Sequence, residues 1–163
     1  LAAPEPLACP PGAERRGGAP PEAYAEWCEA KGGDPAGAGR REGPARTYYD
    51  DGALWVEERF RGGVREGPFR EWHRNGRRAQ EGAYAAGGRS GRWTTWRASG
   101  AVEEESEWRD GVRDGPFRAF WPTGAKRTEG RHCGGAQCGR WSTWDEAGRL
   151  VGAVDYGEQR REP

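Results

Sequence analysis

The 163-residue chain has no methionine. It has no isoleucine, and its leucines stand only at 1, 7, 54 and 150. A conventional aliphatic core is therefore excluded. Lysine occurs only at 31 and 126, and 26 basic residues balance 26 acidic ones. A nucleic-acid binder needs a basic footprint to displace counterions, and this balance lacks one. It also lacks the basic excess of an electrostatic membrane anchor. No stretch approaches the ~20 apolar residues of a membrane-spanning helix. Histidine occurs only at 73 and 132, which leaves little for acid–base or metal chemistry.

The sequence is instead rich in glycine, with 28, and in tryptophan, with 9. Chains this poor in aliphatics are usually disordered, but disordered chains do not accumulate tryptophan. Internal repeats explain the combination. Gly43, Gly67, Gly91, Gly115 and Gly139 are spaced by 24 residues. Gly52, Gly76, Gly100, Gly124 and Gly148 form a second column, and Gly63, Gly87, Gly111 and Gly135 a third, which Gly39 extends backward.

Each unit reads as two strands and two turns. Asn75-Gly76 and Asp51-Gly52 predict two-residue type I′ hairpin turns, with Ser99-Gly100, Thr123-Gly124 and Ala147-Gly148 as weaker forms. That register sets Arg70 against Glu81 and Phe69 against Gly82. The charged pair recurs as Arg46/Glu57 and Arg118/Glu129, and the ring pair as Phe117/Gly130. An aromatic ring can cover the backbone that glycine leaves bare in a sheet. A four-residue second turn then sets Glu57 against Arg70, so arginine and glutamate alternate along one face. The same face carries a column of Tyr48, Trp72, Trp96, Phe120 and Trp144. The other face carries Phe69, Trp93, Phe117 and Trp141, beside Phe60, Tyr84, Trp108, His132 and Tyr156. The fold expected is all-β: an elongated, single-layer antiparallel array of hairpins with about ten strands, some 48 Å across at ~4.8 Å per strand.

Three segments are expected. Residues 1–38 form a Pro/Gly-rich head with a linker at 29–38. Residues 39–157 form the array, in units starting near 43, 67, 91, 115 and 139. Residues 158–163 form a tail. Cys133 and Cys138 bracket the second turn of the last unit, in columns that face each other elsewhere. They are predicted to form a disulfide, which leaves Cys9 to pair with Cys28. Disulfides point to an oxidising, extracytoplasmic compartment, periplasmic, cell-surface or secreted. Leu1-Ala2-Ala3-Pro4 fits the start of a chain whose signal sequence has been removed. Leu7-Ala8-Cys9 is weakly similar to a bacterial lipoprotein signal, but Glu5 and Pro6 interrupt its apolar segment.

Gly67-Pro68-Phe69-Arg70-Glu71-Trp72, Asn75-Gly76, Glu81-Gly82-x-Tyr84 and Gly87, with their copies 24 residues on, resemble the MORN repeat, in its bacterial second variant of the YwqK type. That variant carries the label of a toxin–antitoxin antidote repeat. The resemblance covers about residues 39–157 and implies an elongated hairpin sheet that acts by binding.

No catalytic constellation accompanies the repeat, and no cofactor or metal is implied. His132 occupies an aromatic column, and the glutamates of the ladder are separated by arginines in most gaps. The function expected is therefore non-enzymatic: a protein–protein interaction module or scaffold in a bacterial envelope or extracellular assembly. Binding of peptidoglycan or exopolysaccharide through aromatic rows is the alternative, and an antitoxin or immunity role a second one. Aromatics outside the regular columns are the candidates for contact with a partner, namely Tyr49, Trp55, Trp121 and Trp27. An apolar patch or an unpaired strand edge would speak for a protein partner. A row of exposed coplanar rings would speak for a glycan.

Overall fold

The computed structural model describes residues 5–19, 21, 23–32 and 40–157. The expected tail at 158–163, the segment Leu1-Ala2-Ala3-Pro4, Gly39 and most of the linker at 29–38 lie outside the described residues. The described residues form one open antiparallel sheet of thirteen strands and no helix. The strands follow in chain order: β1 (Ala13–Gly18), β2 (Ala25–Ala30), β3 (Arg41–Tyr48), β4 (Leu54–Arg61), β5 (Val64–Arg65), β6 (Gly67–Trp72) and β7 (Arg78–Ala85). Then come β8 (Gly88–Trp96), β9 (Val102–Arg109), β10 (Val112–Phe120), β11 (Lys126–Cys133), β12 (Ala136–Trp144) and β13 (Leu150–Asp155). The array supplies the ten strands expected, with β5 a detached start of β6. Two more strands, β1 and β2, come from the N-terminal segment and extend the same sheet.

The sheet-forming pairs are those expected. Arg70 faces Glu81 and Phe69 faces Gly82, while Glu57 faces Arg70. The turns, however, are exchanged. The first connection of each unit is a three-residue loop: Gly76 donates to the His73 carbonyl at 2.8 Å, and His73 donates to the Arg77 carbonyl at 2.8 Å. Only the glycine is left-handed, with φ of 77° at Gly76 and 87° at Gly124. Asn75 Oδ1 accepts the Arg77 N–H at 3.1 Å, and Asp51 and Thr123 bond likewise two residues ahead. Such side-chain bonds hold the turn with one positive φ instead of two. Thr123 stands where a type I′ turn would demand positive φ, which a β-branched residue resists. The extra loop residue is offset by a bulge in each returning strand, at Trp55, Ala79, Glu103, Arg127 and Val151. The inner register is thereby preserved.

The second connection is the tight one. Ala86-Gly87 has φ of 47° and 85°, and Asp110-Gly111 has 51° and 81°, the two positive angles of a type I′ turn. Ala85 therefore faces Gly88, and the four-residue turn is corrected to two residues. The register then jumps by two at the positive-φ glycines Gly91, Gly115 and Gly139.

The layer has no second sheet over it, so side chains cover both faces. On one face Trp93, 2% exposed, lies against Gly82, and Trp141 lies against Gly130. Phe69 sits 5.4 Å from Trp93, and Tyr84 meets both rings edge-on. Phe117, Trp141 and His132 repeat this trio, with His132 in the place of Tyr84. Tryptophan thus alternates with phenylalanine, and each tryptophan falls on a glycine. On the other face the ladder runs from Arg46 through Glu57 and Arg70 to Glu81, with gaps of 3.2, 3.5 and 3.6 Å. It stops at Thr94 and resumes from Glu105 through Arg118 to Glu129, at 3.7 and 2.9 Å.

Candidate functional site

The described residues hold no group of three His, Cys, Asp or Glu placed to bind a metal, and no helix long and apolar enough to cross a membrane. The exposed surfaces each follow from a column of the repeat.

The first column is 49, 73, 97 and 121. Its residue types are unlike, but each bonds a main-chain carbonyl of the next unit. The Tyr49 hydroxyl donates to Trp72 O at 2.9 Å, and His73 Nε2 lies 2.8 Å from Trp96 O. Arg97 donates to Phe120 O at 3.1 Å, and Trp121 Nε1 to Trp144 O at 3.0 Å. Tyr, His, Arg and Trp share a donor at the tip of a long side chain. The last unit has Asp145 there, an acceptor, which takes the N–H and Nε of Arg149 at 2.9 Å each. Tyr49 and Trp121 therefore each clamp two hairpins together, and their extra rings are tied down. Trp55 stacks on Tyr49 at 5.5 Å and bonds Glu71, yet stays 39% exposed. Arg74 covers Tyr49 from 4.7 Å and meets Asp50 at 2.5 Å. That pairing holds the Asp50 carboxyl below its ordinary range.

The second column was not anticipated. Arg41, Arg65, Arg89 and Arg113 also recur every 24 residues, and each guanidinium lies over rings of the aromatic face. Arg41 lies between Trp27 and Phe60, at 5.3 and 5.1 Å. Arg89 lies 4.1 Å from Trp93 and 5.0 Å from Trp108. Arg113 lies over Trp108 and Phe117, at 5.3 and 5.2 Å. Trp27 is thus half-buried beneath Arg41, apart from the Tyr49–Trp55 stack. The rings are interleaved with cations: Tyr84 and His132 meet their neighbours at 81–83°, while Phe69 is tilted 31° from Trp93 and Phe117 31° from Trp141. Burial, and then the charge of Arg113, lower the pKa of His132.

The cysteines join as expected, Cys9 to Cys28 and Cys133 to Cys138. The second bond is diagonal, however. Cys133 faces Ala136 and Cys138 faces Arg131, because the tight turn shifts the register by two. The Cα atoms still approach to 5.8 Å, inside bridging range. Near the first disulfide Glu26 is buried. It accepts the Tyr48 hydroxyl at 2.6 Å and pairs with Arg46 at 3.5 Å and Arg15 at 3.8 Å.

The two edges of the sheet are unlike. β1 carries Glu14, Arg15 and Arg16, and Arg16 is held by Glu14 at 2.7 Å and Glu29 at 2.6 Å. β13 carries Leu150, Val151 and Val154, which are 54%, 62% and 54% exposed, and Tyr156 just beyond is 49% exposed. Among the described residues, nothing pairs with the far side of β13.

An open single sheet of hairpins with a fixed period defines a β-hairpin repeat protein. Residues 41–61, the hairpin of β3 and β4, match the MORN repeat variant. The later hairpins repeat the residue columns and the geometry of this one. No curated protein matches the chain.

Proposed function

We propose that the protein is a non-enzymatic protein-binding module that receives a partner's strand along the free edge of β13. The apolar, unpaired edge of β13 carries this reading. Exposed strand edges are normally blunted by charge, as β1 is, and β13 has one charged residue, Asp155. Strand addition supplies main-chain hydrogen bonds for affinity and alternate side chains for specificity. MORN-type repeats and two disulfides accord with a scaffold in an envelope or extracellular assembly. A glycan platform is less well supported, since stacking needs open rings, and those of the aromatic face are buried or covered by arginines, with Trp93 2% and Trp141 7% exposed. A photo-crosslinking residue placed at Val151, at Arg16 and at Trp55 in turn tests the reading in native envelopes. A protein adduct at Val151 alone supports it, and adducts only at the other two positions contradict it.

A further inference from the structure

The occupant of the β13 edge can be read from how β13 departs from its sister strands. β4, β7, β9 and β11 return along each hairpin as β13 does, and all place a ladder glutamate where β13 has Ala153. The column of Val56, Gln80, Glu104 and Thr128 holds Gly152 in β13, and that of Trp55, Ala79, Glu103 and Arg127 holds Val151. Among the returning strands only β13 lacks the ladder glutamate, and among the described residues its outer side is unpaired.

Gly152 is the sharpest departure. Where Gly82 and Gly130 lie inside strands, a tryptophan ring covers each so closely that a Cβ would fall 2.2 Å from it. Gly152 also lies inside a strand, on the same face, with nothing within 4 Å of a Cβ position. The exposed ring nearest in sequence is Tyr156. Four residues at ~3.3 Å each separate it from Gly152, so it cannot cover its own glycine.

A second copy of the chain places it there. We infer that two copies pair β13 to β13 about a two-fold axis, with Val154 opposite the partner's Val154. Antiparallel pairing in that register sets each Tyr156 opposite the other copy's Gly152, on the aromatic face, and each Asp155 opposite an Ala153. Both glycines gain a ring, and no like charges face each other. Tyr156 gives its N–H inward to Gly139 at 3.0 Å. Alternation along an antiparallel strand therefore turns the N–H groups of Ala153 and Asp155 outward, where the second copy meets them. The charged β1 edge offers no such complement, so pairing closes at two copies instead of growing head to tail. The pairing rests on the reading of β13 as the docking edge, and it makes two arrays one continuous sheet.

Sedimentation equilibrium of the oxidised protein, from micromolar to millimolar, tests this. The expected result is a monomer–dimer equilibrium. Val154→Lys would set two ammonium groups opposite each other and weaken dimerisation by ~10-fold or more. Tyr156→Ser would weaken it as well, and Glu14→Lys on β1 would leave it unchanged. Unaltered circular dichroism and disulfide mapping would show that the variants fold. A monomer at every concentration, or a dimer indifferent to Val154→Lys, overturns the proposal. A monomer that still yields an adduct at Val151 in envelopes removes the second copy and keeps strand addition. A monomer without that adduct removes both.

Discussion

Two glycines separate the role of the rings from that of the backbone. Gly82→Ala would place a Cβ 2.2 Å from Trp93 Cδ2, 2.3 Å from Cε2 and 2.7 Å from Cγ. Carbon atoms rest ~3.5 Å apart or more, so the indole must retreat by over ~1 Å. Trp93 is the most buried large side chain of the array. Its retreat strains the packing on Phe69 and Tyr84 and stretches the 3.2 Å bond from Nε1 to Ala83 O. Overpacking costs ~1–3 kcal/mol and a lost hydrogen bond ~1 kcal/mol. Relief of glycine's backbone entropy returns ~0.5–1 kcal/mol. The expected loss is about 1–3.5 kcal/mol. Gly152→Ala meets nothing within 4 Å, and for the dilute monomer it should be neutral or stabilising by ~0.5–1 kcal/mol. Urea denaturation of the oxidised protein measures both, with equal m-values as the check on a common unfolded state. Trp93→Phe, which copies the alternate units, should recover part of the loss in Gly82→Ala. Equal effects at the two glycines would refute the covering-ring argument.

Trp121→Phe removes the bond to Trp144 O and should cost ~0.5–1.5 kcal/mol in chemical denaturation. Trp121→Arg, which copies Arg97, should restore a donor and recover part of that. Tyr48→Phe leaves buried Glu26 without its 2.6 Å donor and should cost ~1–3 kcal/mol. Burial, and then the Glu26 contact, push the Tyr48 hydroxyl up to about 12. Its contribution should therefore be complete below pH ~10, the unfolded value, and be lost as pH rises from there to about 12. Thermal melts across this range should show a larger loss in the wild type than in Tyr48→Phe, which keeps the Tyr49 hydroxyl that burial also raises. The lowered pKa of His132 works in the other direction. Its neutral ring stabilises fully above pH ~6.5, and that contribution is lost as pH falls through this value toward the lowered folded pKa. His132→Tyr, which copies Tyr84, should flatten the melting temperature across that window.

The parts of the fold that were legible in the sequence are those fixed by pairs of unlike residues. Arg70 with Glu81 and Phe69 with Gly82 are improbable coincidences when repeated, and they set the inner register unaided. Cys133 and Cys138 could be paired for the same reason, although the bond proved diagonal. The turns were misread because Asn75-Gly76 satisfies two loop types. The deciding signal was Thr123, which the type I′ turn would strain and the three-residue loop accepts. The Arg41 column escaped notice because arginine is common and its ring contacts cross strands. Position 73 is legible as one column with 49, 97, 121 and 145, but its role is not, because Tyr49, His73, Arg97 and Trp121 share only a polar hydrogen at a similar reach. Tyr49 and Trp121 consequently stood out as extra aromatics when their visible role is to join hairpins. The edge was legible in principle: aligned in period, β13 shows Ala153 where four glutamates stand.

Amide exchange of the β13 backbone tests the functional account most directly. In dilute protein the N–H groups of Ala153 and Asp155 should exchange rapidly, while those of Val154 and Tyr156, turned toward β12, are protected. Under conditions where a protein partner or second copy is bound, Ala153 and Asp155 should become protected and Trp55 should not change. Protection that leaves Ala153 and Asp155 fast and appears on another surface would contradict the account.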